Sequence, residues 1–128
     1  MGYKESEYEK RIPADCYKEI KEYEDELLKL KFENLSIYIL CSGIPYGNAE
    51  TVFNYHIKSA WLQDPEELPF FNKGDNYIPT IHVKDLAKIV KLVIEKKPEV
   101  KYIFSFDCTA QNTSYDIILN ISRGIGSG

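Results

Sequence analysis

Apolar residues recur along the chain with two different spacings, which predict helices and strands in alternation. A four-and-three spacing after Asp15 predicts a helix over residues 15–32, with Asp15 as its N-cap and Asn34 at its end. The nearly continuous apolar run 35–41 predicts a strand that is covered on both faces, as in a parallel sheet. Residues 42–48 contain Gly, Pro and Asn, so we expect a loop there.

The remainder of the chain continues this alternation. The predicted elements are a helix over 50–62, an irregular stretch over 63–73, a turn at 74–76, an extended piece over 78–82, a helix over 83–96, a strand over 102–106 and a helix from 113 or 114 to 123. In the last helix, Thr113 or Ser114 is the expected cap, Asp116 completes a capping box and Gly124 is the expected end. This order predicts an α/β layered architecture.

The beginning and the end of the sequence carry no such pattern. Residues 1–12 are charged and lack a period, which predicts an N-terminal arm, followed by one domain over 13–126 and a tail at 127–128. A chain of 128 residues has the size of a single domain.

Composition narrows the classes of function. The net charge of −4 disfavours a free-standing nucleic-acid binder. The sequence has no stretch of about 18 apolar residues, so we predict no membrane span. No secretory leader pattern is present, and Cys16, Cys41 and Cys108 are far apart without a C-x-x-C pair. We therefore expect reduced thiols and a cytoplasmic protein.

The strongest motifs for metal and phosphate chemistry are missing from the sequence. His56 and His82 are not at metal-ligand spacing with carboxylates, so we predict no metal site. The sequence contains neither G-x-x-x-x-G-K-[ST] nor a G-x-G-x-x-G between a strand and a helix. We therefore expect neither a phosphate-binding loop nor a dinucleotide fingerprint in this chain.

One weaker motif, Tyr17-x-x-x-Lys21, has the spacing of an acid–base pair on a helix. A lysine one turn away lowers the pKa of a phenol and allows it to relay a proton near neutral pH. Ten tyrosines and fourteen lysines in 128 residues give about one such pair by chance, so a solvent-exposed helix face is the better explanation of the spacing taken alone.

Further motifs follow this pair in an order that resembles the extended short-chain dehydrogenases/reductases, the NAD-dependent epimerase/dehydratase family. Tyr17-x-x-x-Lys21 resembles the catalytic helix of that family, and 35–47, LSIYILCSGIPYG, is similar to its strand and loop ending in L-R-P-x-x-V-Y-G. Residues 74–87, with Gly-Asp-Asn and then Ile-His-Val-Lys-Asp-Leu-Ala, resemble its G-D-G…H-V-x-D-L-A segment.

Within this family, a smaller group is more similar still. The resemblance to the reductase-like region of the adenylate kinase seven proteins of motile cilia is carried by residues 43–47, Ala60-Trp61-Leu62, residues 76–87 and the ending 121–126. This resemblance implies a role near an adenylate kinase and a place in the cilium or flagellum axoneme. Cys41 and Ser42 stand where the family usually has Arg and Pro, so the loop that faces the nicotinamide is altered.

The resemblance implies a fold that this chain does not complete. It covers the C-terminal portion of a Rossmann-like extended reductase fold, and the half that carries the glycine fingerprint is missing. The strand 35–41 would pair with strands of that half, so alone it would leave an open apolar edge. We expect an upstream segment or a partner chain to cover this edge.

Two functions are compatible with the resemblance. The first is a non-catalytic interaction or scaffold module of a larger axonemal assembly. Its aromatic side chains would then serve both core and docking: Phe53, Tyr55, Trp61, Phe70 and Phe71. The lysines of the helix over 83–96 and of the residue after it form either a patch for an acidic partner or a solvated face: Lys84, Lys88, Lys91, Lys96 and Lys97.

The alternative is an NAD(P)-binding enzyme of the epimerase/dehydratase type, completed by the missing half. The resemblance then implies Tyr17 as the acid–base residue and Lys21 as the partner that lowers its pKa and contacts the cofactor ribose. It also implies that Ser42 and Gly43 lie along the nicotinamide. Two further residues would border the substrate: Tyr46 and His82.

Overall fold

A computed structural model of the chain describes residues 5–49, 51–70, 72–108 and 113–126. In chain order, the elements are a 3₁₀ helix Glu5–Lys10, a 3₁₀ turn Asp15–Tyr17, α1 Lys18–Lys29, β1 Ile39–Ser42, β2 Ile44–Tyr46, α2 Asn54–Leu62, β3 Thr80–His82, α3 Val83–Lys96, β4 Tyr102–Ser105 and α4 Ser114–Ile125. The chain is therefore a mixed α/β protein, as predicted.

All strand pairs are parallel in the part of the chain that the structure describes. β1 pairs with β4, in a register that sets Ile39 opposite Tyr102, and β2 pairs with β3. Gly43 joins β1 to β2: its N–H donates to the Ser105 carbonyl at 2.9 Å, and the next N–H, of Ile44, donates to the Pro79 carbonyl at 2.8 Å. One extended segment thus changes its partner strand at Gly43.

The predicted elements differ from the observed ones mainly near this segment. The helix predicted over 15–32 is a 3₁₀ turn followed by α1, which ends at Lys29, and Asp15 is not its N-cap. β1 begins at Ile39, four residues later than predicted. The loop predicted over 42–48 contains β2, because residues 44–46 form hydrogen bonds with a strand that is distant in sequence.

The later elements follow the sequence pattern more closely. α3 has the predicted bounds, and Thr113 and Asp116 form the predicted capping box at the start of α4. Gly124 does not end α4: the helix continues to Ile125, and Gly126 is its C-cap. α2 begins at Asn54, four residues after the predicted start.

The predicted N-terminal arm lies against the sheet over the residues that the structure describes. The carboxylate of Glu5 accepts a hydrogen bond of 3.0 Å from the backbone N–H of Phe104. Along a strand of a parallel pair, the backbone N–H and C=O groups of successive residues point to alternate sides. Those of Phe104 therefore point away from β1. Residues 5–12 therefore cover the outer edge of β4, whereas 1–4 and the predicted tail 127–128 lie outside the described residues.

The same segment encloses the side chain of Tyr102. The ring of Tyr8 stacks on the Tyr102 ring at 4.9 Å, and the Arg11 guanidinium lies 4.3 Å from the centre of that ring. Arg11 also pairs with Glu24 of α1 at 2.9 Å. Burial, the Cys41 thiol and the Glu24 carboxylate raise the pKa of Tyr102 well above its usual range, so this phenol stays protonated.

The core is small for a chain of this length. Its buried hydrophobic residues, among those described, are Ala60, Ile81, Val93 and Tyr102. The accessible surface is 10121 Å², whereas a compact 14.8 kDa domain exposes about 7,000 Å². α1 buries none of its residues. No helix in the described ranges is long and apolar enough to cross a membrane.

Candidate functional site

A cavity of about 570 Å³ lies beside the carboxyl ends of β2 and β4, between α2 and α4. Tyr46 is the last residue of β2, and Asp107 follows β4 by two residues. Ligand sites of parallel α/β sheets form outside the carboxyl ends of the strands. The position and volume of this cavity therefore make it the candidate binding site of the chain.

The polar end of the cavity is built around one carboxylate. Oδ2 of Asp107 accepts hydrogen bonds from the Tyr46 hydroxyl at 3.2 Å and from Thr80 Oγ1 at 3.5 Å. The Asp107 N–H donates to the Thr80 carbonyl at 2.7 Å and fixes the backbone after β4. Burial and the Asp107 carboxylate raise the pKa of Tyr46, so its phenol remains a donor at neutral pH.

The walls of the cavity are mainly apolar. Ile117, Ile121 and Ile125 recur every four residues and thus share one face of α4. Phe53 and Ile57, which are also four residues apart, line the other wall. Phe53 is the N-cap of α2, and Ile57 lies one turn later in the same helix. This arrangement can hold an apolar body while Asp107 and Tyr46 contact a polar group at one end.

The two residues predicted to border a substrate lie side by side. The rings of Tyr46 and His82 meet edge to face at 5.2 Å. Tyr46 lines the cavity, whereas His82 is the N-cap of α3, because its Nδ1 accepts the N–H of Lys84 at 3.2 Å. The predicted roles of both residues toward a substrate stay predictions.

The predicted acid–base pair lies in a different part of the molecule. Tyr17 and Lys21 line a cavity of about 380 Å³ together with Arg11 and Glu24. More than half of the Tyr17 surface is exposed, and Lys21 forms an ion pair with Asp25. This second cavity shares no lining residue with the first one.

The predicted nicotinamide contacts, Ser42 and Gly43, lie at the end of β1. Gly43 is buried, and its N–H is already bonded to the Ser105 carbonyl. Ser42 is exposed. Because backbone groups alternate in direction along a parallel pair, those of Ser42 and Leu40 point away from β4. No other strand among the described residues pairs with that edge of β1.

The described residues do not form a complete dinucleotide site. Such a site places the pyrophosphate on a glycine-rich turn between a strand and the N-terminus of a helix. Here β1 continues through Gly43 into β2 without a helix, and the predicted roles of Tyr17, Lys21 and Ser42 toward a cofactor stay predictions. The described residues also hold no group of three or more His, Cys, Asp or Glu that could bind a metal ion.

Sequence reasoning missed Asp107, Thr80, Asn120 and the isoleucines of α4 as cavity residues. An aspartate directly after a buried strand is a detectable signal, because functional side chains gather at the carboxyl ends of parallel strands. The convergence of α2 with α4 was not detectable, since it depends on packing between distant segments.

The other predicted surfaces are mostly exposed. Among the aromatic residues, Trp61, Tyr55 and Phe70 are exposed, Phe53 lines the cavity, and Phe71 lies outside the described residues. The lysines of α3 face solvent, and two of them form exposed ion pairs, Lys88 with Asp85 and Lys91 with Glu95. Such pairs contribute little to stability, and a role of the lysines toward an acidic partner stays a prediction.

The fold and the cavity define a mixed α/β protein with short parallel strand pairs and a candidate binding cleft at the strand ends. The chain is homologous to a segment of adenylate kinase 7. It is 35% identical over 107 residues to "Adenylate kinase 7" of Mus musculus, which covers 80% of this chain and 17% of that protein. It is 36% identical over 107 residues to "Adenylate kinase 7" of Macaca fascicularis, which covers 80% of this chain and 20% of that protein.

The chain thus spans about a fifth or less of the length of these curated relatives. No protein-family model matches the chain. No solved structure matches it.

Proposed function

We propose that the chain is a non-catalytic, reductase-like interaction module of an adenylate-kinase-7-like protein. In this role it supplies part of an α/β sheet, and an upstream segment or a partner chain supplies the strand that pairs with β1. The observation that carries the proposal is the unpaired edge of β1 in a molecule with a large accessible surface that includes many large hydrophobic side chains.

The size of the exposed surface supports a large partner. The chain exposes 10121 Å², which is about 3,000 Å² more than a compact protein of this mass exposes. Permanent interfaces bury about 2,000–5,000 Å² in total. An exposed edge strand with apolar neighbours is also an established template for pairing with another strand.

The relatives are named for adenylate kinase activity, and we assign that activity to other segments of such proteins. Phosphoryl transfer requires a phosphate cradle and cations that clamp the transferred group. This chain contains no G-x-x-x-x-G-K-[ST] sequence, and the polar end of its cavity is a carboxylate, which repels phosphate. The reductase resemblance further implies the cytoplasm and the ciliary axoneme as the place of action.

The second candidate is an NAD(P)-dependent enzyme completed by its other half. The cavity that Tyr17 and Lys21 share favours it, since a Tyr–Lys pair is a recognised acid–base device. Against it stand the exposure of Tyr17 and the pairing of Lys21 with Asp25. If the chain is an interaction module, Tyr17 and Lys21 only form part of the polar surface where α1 begins.

The test of the interaction module uses the edge of β1. A Ser42→Pro substitution removes the N–H that points away from β4 and places a ring in the path of an added strand, while the β1–β4 bonds remain. We expect the purified wild-type chain to self-associate in light scattering and Ser42→Pro to weaken the association about tenfold. Ser36→Pro is the matched control, because Ser36 is exposed and precedes β1.

Titration calorimetry with NAD(H) and NADP(H) separates the two candidates. The interaction module predicts no saturable binding by the chain or by its complex with a covering segment. Saturable binding that Lys21→Ala abolishes would favour the enzyme instead. A monodisperse wild-type monomer, with scattering unchanged by Ser42→Pro, would contradict the interaction module.

A further inference from the structure

The cavity between α2 and α4 continues into a groove along the surface. An adjoining cavity of about 370 Å³ shares Asn54, Ile57 and Ile125 with the first one and extends to Lys58 and Trp61. About three quarters of the Trp61 surface is exposed. Asp107 and Trp61 therefore lie near opposite ends of one continuous cleft with mainly apolar walls. We call it the α2–α4 cleft.

Asp107 gives the closed end of this cleft a negative charge. Its carboxylate accepts the bonds from Tyr46 and Thr80 through the same oxygen, Oδ2. No lysine, arginine or histidine among the described residues forms an ion pair with it. Neutral hydroxyl donors do not neutralise a carboxylate, so the cleft retains its attraction for a cation.

We propose that the α2–α4 cleft binds a small amphipathic cation. A primary or secondary ammonium group would lie against Asp107 and the Tyr46 oxygen, and an apolar body would lie between the isoleucine face of α4 and the wall of α2. The volume of about 570 Å³ is within the ~300–1,000 Å³ of small-molecule pockets. The isoleucine face of α4, together with Phe53 and Ile57, offers the apolar contact that such ligands need.

The Asp107 end of the cleft disfavours anionic groups, and the lysine that lines the cleft, Lys58, lies in the adjoining cavity with Trp61. A carboxylate or phosphate group would meet the Asp107 charge at short range, which costs energy in a partly desolvated site. The proposal does not depend on the interaction module, because the β1 edge and the α2–α4 cleft share no residue.

The test compares two probes of nearly equal size, 4-phenylbutylamine and 4-phenylbutanoate. Trp61 is the only tryptophan of the chain, so its fluorescence reports occupancy of the cleft. We expect the amine to bind about tenfold or more tightly than the carboxylate, as a charge-assisted hydrogen bond implies. Amide shifts in ¹H–¹⁵N spectra should concentrate at Asp107, Ile121 and Ile57.

Variants show whether Asp107 causes the preference. Asp107→Asn keeps an acceptor for Tyr46 and removes the charge, so the ratio between amine and carboxylate should fall to about twofold or less. Glu99→Gln makes the same change of net charge at an exposed residue and should leave the ratio unchanged. Ile121→Ala should weaken both probes alike and keep the ratio, which provides a second variant if Asp107→Asn does not fold.

Several results would overturn the proposal. Equal binding of the two probes would show that the charge of Asp107 does not select ligands. An unchanged ratio between amine and carboxylate binding in Asp107→Asn would also show that this charge does not select ligands. Amide shifts confined to the exposed face of α1 would show that the probes bind uncovered apolar surface instead of the α2–α4 cleft.

Discussion

At the scale of single residues, Gly43 has the most demanding environment. A Cβ at this position would lie 2.7 Å from the Pro79 carbonyl oxygen and 3.0 Å from the Thr80 nitrogen. Both are backbone atoms and cannot rotate away. The absence of a side chain therefore allows the β1–β2 segment to pass from β4 to β3, and it explains this glycine without any contact to a cofactor.

We predict that Gly43→Ala destabilises the chain by about 1–3 kcal/mol, because the added methyl group forces residue 43 away from the backbone of Pro79 and Thr80. Urea unfolding followed by circular dichroism measures the change. Gly124→Ala is the control: a Cβ there meets nothing within 4 Å, so the variant should gain about 0.5–1 kcal/mol of helix stability. Equal midpoints for Gly43→Ala and wild type would disprove the tight approach.

At the scale of elements, the four helices differ in how far their apolar faces are covered. α2 and α4 pack against each other, and α3 lies on β2 and β3. α1 is as amphipathic in sequence as α3 and α4, yet Ile20, Tyr23 and Leu27 of its apolar face remain exposed. The sequence pattern of α1 therefore indicates a buried face, and the chain by itself does not bury it.

This difference predicts a small effect of a lysine substitution on α1 and a large effect of a lysine substitution on α3. Leu27→Lys on α1 should change the free energy of unfolding by about 0.5 kcal/mol or less, because the side chain is already exposed. Val93→Lys on α3 should cost about 3 kcal/mol or more, since it would bury an ammonium group. Chemical denaturation of both variants measures the contrast, and a large loss in Leu27→Lys would mean that α1 is covered in solution.

At the scale of the whole molecule, folding buries less surface than the length of the chain allows. The unfolded chain exposes about 21,500 Å², and the folded chain retains 10121 Å². Folding thus removes only about half of the accessible surface, whereas compact domains near this size remove about two thirds. A partner that covers β1 and α1 would close this difference.

We predict a urea m-value about a fifth below that of a compact domain of equal length, because m is proportional to the surface exposed on unfolding. Equilibrium urea unfolding at low protein concentration gives the value for the monomer. It should rise when a covering segment is added. An m-value at the level of compact domains would show that the chain closes its own surface in solution.

The sequence predicted the features that depend on interactions between residues close together in the chain. The bounds of α3 follow from its apolar period, and the Thr113–Asp116 capping box follows from hydrogen bonds within one turn. The motifs also indicated the homology with adenylate kinase 7, since residue order is retained where the relatives align. The rings of Tyr46 and His82 are in contact, but their predicted role toward a substrate stays a prediction.

Only the tertiary structure decided the features that join distant segments. β2 forms because Ile44 meets Pro79, a contact across 35 residues that a Gly- and Pro-containing stretch does not reveal. The α2–α4 cleft and its carboxylate depend on two helices that lie still further apart in the sequence, and the N-terminal segment covers β4 through Glu5. The sequence specifies each local conformation through contacts within a few residues, whereas the choice among distant partners depends on packing and hydrogen bonding of the whole chain.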